Sequence, residues 1–594
     1  MSKKKIEVLC TAFRDGFQSV FGARVFMKDY IPAIEAARDA GITNFEFGGG
    51  ALFQSSFFYA NENAFENMAK FREIVGPNIN LQTLSRGVNV VGLEAQPRDI
   101  INLHAKLFKK YGTTTIRNFD ALNDVDNLEY SGKCIADNGL KHEITITMMD
   151  LPPGCEGAHD VAFYEKTLRR ILDSGIPYSS FCFKDASGTS NPRKVYETIK
   201  MARNLLDHKI PIDFHTHETA GIAVSAYLAA LDAGADRIDL SLAPVSGGTC
   251  SPDILTMMHA LKGSDYDLGF DTEKILKAED VLGTCLKDYF VPPEALAVSP
   301  LIPFSPMPGG ALTANTQMLR DNNMLDKYPE IIEAMSEVVR RGGFGTSVTP
   351  VSQFYFQQAF NNVMFGPWEK FADGYGKMIL GYFGKTPVEP DPELVKLAEE
   401  KMNLPRTTEK VVDINEKDPS KGIMAAKKML ASAELPDSEE NIFIAASCKE
   451  KGLAFLKGEG KIGVRKIEKM KKERTDNFMV TVNGKKYPVI YQDGVATVDG
   501  KKYEVKVEAD LAGTPGRSIE HGADAIDITS PVPGTVLRIV KEAGKRVLRN
   551  DTIITLEAMK MQTEIKAPRD GLLLAVKVKS GETVNSGQIL AQLG

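Results

Sequence analysis

Glu557-Ala558-Met559-Lys560-Met561 stands near the C-terminus, a lysine between two methionines, and the sequence on one side of it repeats on the other. Pro531, Gly534, Gly544, Val547 and Leu556 each recur 37 residues later, as Pro568, Gly571, Gly581, Val584 and Leu593. Alternating apolar runs bounded by glycine read as short strands, and a duplicated set of them reads as a small two-sheet β domain. Lys560 falls where the two halves join, at a hairpin that would project its amine into solvent. A lone exposed lysine is ordinarily a solvated charge. The duplication centred on this one sets it apart.

The segment resembles the biotin carboxyl carrier domain, whose Ala-Met-Lys-Met motif stands here at residues 558–561. The resemblance covers residues 527–594. It implies a lipoyl-like flattened barrel with biotin in amide linkage to Lys560, placed there by a biotin protein ligase. Lipoyl domains usually flank the lysine with Asp and Ala, so Met559 and Met561 favour biotin.

With 594 residues the chain has room for several domains, and its 43% hydrophobic and 25% charged content suits large globular cores. A net charge of −6 gives no reason to expect a nucleic-acid partner. No apolar run approaches the roughly 18 residues of a membrane span, and the N-terminus lacks the apolar stretch of a signal peptide. The seven cysteines are scattered without a Cys-x-x-Cys pair, as expected of reduced thiols in a cytoplasmic protein. Neither a phosphate loop nor a Gly-x-Gly-x-x-Gly fingerprint is present.

Between residues 1 and 300 eight short apolar runs alternate with helical patterns. The runs are Ile6–Cys10, Asn44–Phe47, Ile79–Leu84, Thr114–Phe119, Glu143–Met148, Ser180–Phe183, Ile210–Phe214 and Arg237–Ser241. Eight βα repeats predict a TIM barrel, an α/β fold whose chemistry sits at the C-terminal ends of the strands. Polar residues gather at those ends: Arg14-Asp15 and Gln18 after the first, Arg86 after the third, Lys184-Asp185 at the sixth, His215-Thr216-His217 at the seventh. His215 and His217 are two apart on an extended segment, so their rings share one face. Two imidazoles with Asp15 as a third ligand suit a divalent metal, zinc first, with manganese or cobalt as alternatives. Lys184 has three readings: a general base of depressed pKa, a carbamate formed with CO2 that becomes an oxygen ligand, or an ammonium paired with Asp185.

Residues 11–313 resemble the carboxyltransferase domain of pyruvate carboxylase and of the oxaloacetate decarboxylase α chain. The matches are Arg14-Asp15 with Gln18-Ser19, Gly49-Gly50-Ala51, Arg86-Gly87 with Asn89, Phe119-Asp120 with Leu122-Asn123, Lys184-Asp185 with Ser187-Gly188, His215-Thr216-His217, and Met307-Pro308-Gly309-Gly310 with Thr313. The resemblance implies a metal held by Asp15, carbamylated Lys184, His215 and His217. It implies a 2-oxoacid held by Gln18 and Arg86, support from Arg14, and a proton relay through Thr313. Gly16-Phe17 and Leu84-Ser85 depart from the family's usual residues, and the Gly16 form also resembles aldolase-type synthases that use acyl-CoA.

Residues 301–470 read as a helical funnel or extension and 471–508 as a small β connector with Asn-Gly and Asp-Gly hairpins. Residues 509–526 read as a tether. The expected function is transfer of CO2 between carboxybiotin and a 2-oxoacid, pyruvate or oxaloacetate. The expected setting is a two-subunit pyruvate carboxylase whose separate biotin carboxylase subunit loads the biotin. Alternatives are the α subunit of a sodium-pumping oxaloacetate decarboxylase with membrane subunits, at the inner membrane, and the large subunit of a 2-oxoglutarate carboxylase. A non-catalytic carrier scaffold is a further alternative. A homo-oligomer is expected in each case.

Overall fold

In the computed structural model, the described residues are 3–304, 307, 309–467, 477–482, 485–492, 495–498, 501–504, 526–558 and 561–594. Lys560, Met559, Pro308 and the expected tether across 509–525 lie outside them.

Eight parallel strands close into a barrel in chain order: β1 (Glu7–Cys10), β2 (Asn44–Gly49), β3 (Asn80–Ser85), β4 (Thr115–Phe119), β5 (Lys141–Thr147), β6 (Ser180–Asp185), β7 (Ile212–Thr216) and β8 (Arg237–Leu240). The sequence places every one of them within two or three residues. Helices cover the outside, and their apolar stripes meet the strands in one continuous core that includes Ile34, Phe71, Leu107, Ile171, Ile199 and Leu231. Asp160 and Asn191 cap two of these helices with side-chain oxygens that accept backbone N–H groups.

The lumen is unusual for a barrel, because it holds charge. Side chains alternate along a strand, so Asp213, His215 and His217 share the inward face and step up towards the mouth. Below the mouth, Arg117 on β4 donates to Glu143 on β5 at 2.6 Å, to Asp213 on β7 at 2.7 Å and to Asp239 on β8. All four side chains are fully buried. A buried guanidinium facing three carboxylates holds their oxygens in fixed positions; removing it would strand uncompensated charge.

Past the barrel, helices follow: α1 (Gly309–Asp321), α2 (Tyr328–Arg341), α3 (Val351–Phe365) and, after shorter ones, α4 (Glu439–Leu456). Val338, Phe354, Tyr355 and Tyr375 from this extension join Leu84, Phe119 and Leu122 at the strand ends in a second apolar core, which roofs the barrel mouth. Four antiparallel strands span Asn477–Glu504 in consecutive order, as the hairpin signals predict.

The C-terminal residues form two four-stranded sheets. Thr552–Ala558 (β15, counting the four strands of the connector as β9–β12, Ile526–Thr529 as β13 and Gly534–Ile539 as β14) pairs antiparallel with Met561–Lys566 (β16). Ala558 stands opposite Met561 in that ladder, with residues 559–560 between them. The core between the sheets is built from Val536, Ile554, Leu556, Leu573, Leu590 and similar residues.

Candidate functional site

A small pocket opens at the C-terminal end of the barrel. Arg14, Asp15, Gln18, Arg86, Lys184 and His217 line it, with Leu84, Phe119, Ala186, Gly310, Ala311, Val348 and Thr349. Six of the residues singled out in the sequence therefore converge on one space from β1, β3, β6 and β7.

Two adjacent glycines make room for the cations. Gly49 has φ +79°, and a Cβ there would fall 2.3 Å from the Leu84 carbonyl oxygen. Gly50 has φ +52°, and its missing Cβ leaves space beside Arg86 and Gln18. Arg86 Nη1 donates to the carbonyls of Val91 at 2.8 Å and Gly92 at 3.0 Å, and Nε is buried without a partner. Burial, with Arg14 nearby, pushes its pKa down to about 9. Such a group gains from an incoming carboxylate.

Arg14 is already committed. Its Nη2 donates to Glu46 at 2.5 Å, and Nη1 lies 3.2 Å from Asp15 and donates to Gln18 Oε1 at 3.2 Å. It thereby orients the Gln18 amide, which is half-buried at the pocket wall.

Asp15, His215 and His217 offer three ligand atoms within 4.8 Å of one another, and all three residues are buried. His215 Nε2 and His217 Nε2 are 2.9 Å apart, and His217 Nε2 is 2.9 Å from Asp15 Oδ2. His215 Nδ1 faces Asp239 Oδ2 at 2.6 Å. Donation of its Nδ1–H to that carboxylate turns the Nε2 lone pair inward, an arrangement common behind metal-bound imidazoles. Burial, with Lys184 nearby, pushes the His215 pKa down to about 3 against the opposing pull of Asp239, so the ring is neutral. For Asp15, burial raises the carboxyl pKa, but His217, Arg14 and Lys184 outweigh that and hold it well below the usual carboxylate range. Two imidazole nitrogens and one carboxylate around a shared point fit a divalent cation.

Lys184 Nζ is buried without a hydrogen-bond partner. It is not paired with Asp185. That carboxylate turns away to accept from Ser187 Oγ and the backbone of Ser187, Gly188 and Ser190. Burial lowers the Lys184 pKa, with Asp15 opposing. A buried, unpartnered amine of lowered basicity is a nucleophile towards CO2.

Thr313 is not among the residues that line this pocket. It lies on α1, is fully buried, and its hydroxyl donates to the Ser19 carbonyl. The pocket wall has Thr349 instead, half-buried in the turn that leads into α3. Thr349-Pro350 ahead of an apolar helical pattern is a helix-start signal. Read as such, rather than as a break, it puts this hydroxyl at a helix N-terminus. Asp239 and Arg117 carry a signal too, because a charged residue inside an inner barrel strand needs a partner there.

Three family models match the chain: a conserved carboxylase domain over residues 302–498, a biotin-requiring enzyme domain over 526–593 and an HMGL-like domain over 147–282. A pyruvate carboxylase subunit of Methanocaldococcus jannaschii is 29% identical over 94% of both chains. The 2-oxoglutarate carboxylase large subunit of Hydrogenobacter thermophilus is 26% identical over 95% of this chain and 91% of its own. The carboxyl transferase domain of Rhizobium etli pyruvate carboxylase, solved with pyruvate and biocytin, superposes with a TM-score of 0.70 at 23% identity, covering 85% of this chain and 89% of that one. The chain is a biotin-dependent carboxyltransferase, similar over nearly its whole length to that Methanocaldococcus jannaschii subunit.

Proposed function

We propose that the chain carries biotin on Lys560 and transfers a carboxyl group to or from pyruvate, as the partner of a separate biotin carboxylase subunit. The observation that carries this reading is the pocket itself, where Arg86 shares the wall with Asp15 and His217, two members of the buried Asp15, His215 and His217 cluster. A 2-oxoacid has the matching polarity, a carboxylate for the one and a keto oxygen for the other.

Asp15, His215, His217 and Lys184 as its carbamate would hold a divalent metal, zinc first. The metal supplies Lewis acidity to the keto oxygen. Biotin supplies the carboxyl group, released as CO2 in a pocket shielded from water. The chain's own residues do the rest. Arg86 binds the substrate carboxylate through Nε, and Gln18 steadies the same end. Arg14 holds Gln18 in place. Thr349 takes the role that the family resemblance implies for Thr313. Its Oγ would accept a proton from C3 of pyruvate as its own proton leaves towards the biotin. The C3 carbon, holding the electron pair of its broken C–H bond, then bonds to CO2 and yields oxaloacetate. The reverse sequence decarboxylates oxaloacetate.

The pocket charge favours pyruvate over a five-carbon dicarboxylate. Of the described cations in its wall, Arg14 is neutralised by Asp15 and Glu46, and Lys184 stands beside Asp15. Arg86 alone has no carboxylate partner, which provides for one substrate carboxylate. The two-subunit arrangement is supported by the full-length match to a protein that is itself one subunit of a pyruvate carboxylase. Among the described residues no helix is long and apolar enough to cross a membrane.

Carboxyl exchange from labelled oxaloacetate tests the reading. Label should pass to pyruvate, not to 2-oxoglutarate, and avidin should stop it. Exchange into 2-oxoglutarate at an equal rate would instead support the second substrate. Mass spectrometry of protein from its native cell tests Lys560 directly.

A further inference from the structure

Thr349 ends a turn that the strand ends of the barrel hold in place. The Thr346 N–H donates to the Ala121 carbonyl, just past β4, at 2.8 Å. Thr147, the last residue of β5, has its Oγ1 2.8 Å from Thr346 Oγ1. Gly345 passes so close to the strand ends that a Cβ there would fall 2.8 Å from Leu122 Cδ2. At the start of the turn the Phe344 carbonyl faces His159 Nε2 at 2.8 Å. His159 lies in the loop after β5 and is fully buried.

Both ring nitrogens of His159 are used. Burial pushes its pKa down to about 4 against the pull of the Phe344 carbonyl, so the ring is neutral with one N–H. Nε2 faces a carbonyl and therefore carries that hydrogen. Nδ1 is left as an acceptor, and the Tyr164 hydroxyl stands 3.1 Å from it. The Tyr164 oxygen is fixed in turn by the Met149 N–H, which donates to it at 3.2 Å. Tyr164 is itself fully buried, in the first turn of the helix Val161–Ser174. The two residues joined by the Nε2 bond share a further property. His159 has φ +58° and Phe344 φ +59°. Side-chain-bearing residues hold such left-handed backbone only where their surroundings dictate it, and functional sites are where it collects. Packing alone calls for no imidazole here, since a phenyl ring would fill the space without desolvating two nitrogens.

From this geometry we infer that His159 is a positioning residue for carboxyl transfer. Its bond to the Phe344 carbonyl, braced by Tyr164, fixes the turn 344–348 and with it the Thr349 hydroxyl in the pocket wall. His159 does not line the pocket, so it acts through that turn and not on the substrate. A hydroxyl that must reach both C3 of the substrate and the biotin tolerates little displacement. A shift of about 1 Å in such a group costs on the order of 10²-fold in rate. The role of His159 rests on the one proposed above for Thr349; the hydrogen bonds that hold the turn do not.

A double-mutant cycle on the biotinylated full-length chain, read by steady-state carboxyl exchange, tests this. His159→Phe keeps the ring and removes both hydrogen bonds. Its kcat should fall by about 10- to 100-fold while KM for pyruvate stays within about two-fold. His159→Gln, which keeps a donor near the Nε2 position, should recover kcat to within about three-fold of wild type. Combined with Thr349→Ala, His159→Phe should cost less than about two-fold more, because no hydroxyl remains to be misplaced. Equal losses with and without the Thr349 hydroxyl, or a glutamine variant as slow as the phenylalanine one, would overturn the positioning role. So would wild-type kcat in His159→Phe beside a slow Thr349→Ala, an outcome that leaves the reading of Thr349 standing. Wild-type kcat in Thr349→Ala would end that reading and the role of His159 with it. Should His159→Phe not fold, Tyr164→Phe removes only the oxygen behind Nδ1 and runs the same cycle. It should lose about five-fold with Thr349 present and nothing without it, and equal losses in the two backgrounds would again overturn the role.

Discussion

The barrel and the carrier domain bury opposite things. In the barrel lumen Arg117, Glu143, Asp213 and Asp239 are fully inside, and the last of them reaches His215. In the carrier, the core between the sheets is built on aliphatic side chains, and the buried polar residues of the domain, Ser530, Thr555 and Thr563, carry no charge. The difference follows from where each does its work. The barrel must fix nitrogen and oxygen atoms within tenths of an ångström, and buried charge pairs with short hydrogen bonds do this at the cost of desolvation. The carrier only has to fold and present one side chain, so apolar packing suffices. Changes in the barrel should therefore spread from one residue to several, whereas the carrier's function and its stability should separate.

The strongest way to break this contrast is at Lys560. Lys560→Arg is expected to abolish carboxyl exchange while the carrier melts within about 0.5 kcal/mol of wild type. A large loss of carrier stability would show that its function and fold are not separable. Next comes the hydroxyl at the pocket wall. Thr349→Ala should lower kcat by about 10²- to 10⁴-fold, the range for removal of a proton carrier. Thr313→Ala should leave kcat nearly unchanged and cost about 1 kcal/mol for its lost bond to the Ser19 carbonyl. Equal rate losses at the two positions would remove the assignment of Thr349.

Asp239→Asn addresses the lumen itself. It keeps the shape beside His215 and weakens the acceptor for the Nδ1–H. Metal affinity should fall by roughly 10- to 100-fold. The visible spectrum of a cobalt-loaded protein should shift as well, a change that general destabilisation would not produce. An unaltered spectrum and affinity would reduce the Arg117 and Asp239 network to packing.

Much of this is legible in the sequence, and the reasons differ by region. The barrel is readable because eight strands and their helices repeat a pattern whose periods, two and 3.6, are local. The carrier is readable because it is duplicated. Asp15, His215 and His217 are readable because strand ends are where such a fold gathers its chemistry. Thr349 is not, because α3 packs it over the mouth from more than a hundred residues beyond the last barrel strand, and no local pattern encodes that approach. Thr313 is suggested by the motif around it, and its hydroxyl donates to the Ser19 carbonyl. The charged lumen is hidden for a similar reason. Arg117, Glu143, Asp213 and Asp239 come from four separate strands, and only barrel closure brings them together.

The smallest effect sharpens the contrast through acid. His104 lies in the helix Arg98–Lys110, buried at 2% exposure, with its ring 4.1 Å from that of Phe108 and Nε2 without a partner. Burial pushes its pKa down to about 3. In the unfolded chain the imidazole takes up a proton below about pH 6.5, while in the folded barrel it stays neutral until about pH 3. The unfolded state therefore binds more protons across that window. The stability tied to this residue is complete above pH 6.5 and is lost as pH falls, by at most about 1.4 kcal/mol per unit. His104→Phe keeps the aromatic packing and removes the titration. Between pH 6 and 4 the variant's barrel should gain on wild type by about 1 kcal/mol per unit, read by calorimetry as a growing difference in the barrel transition. The carrier transition is an internal control, because residues 526–594 contain no histidine. Parallel pH slopes for the two barrels would mean that the His104 ring is charged, or solvated, in the folded protein.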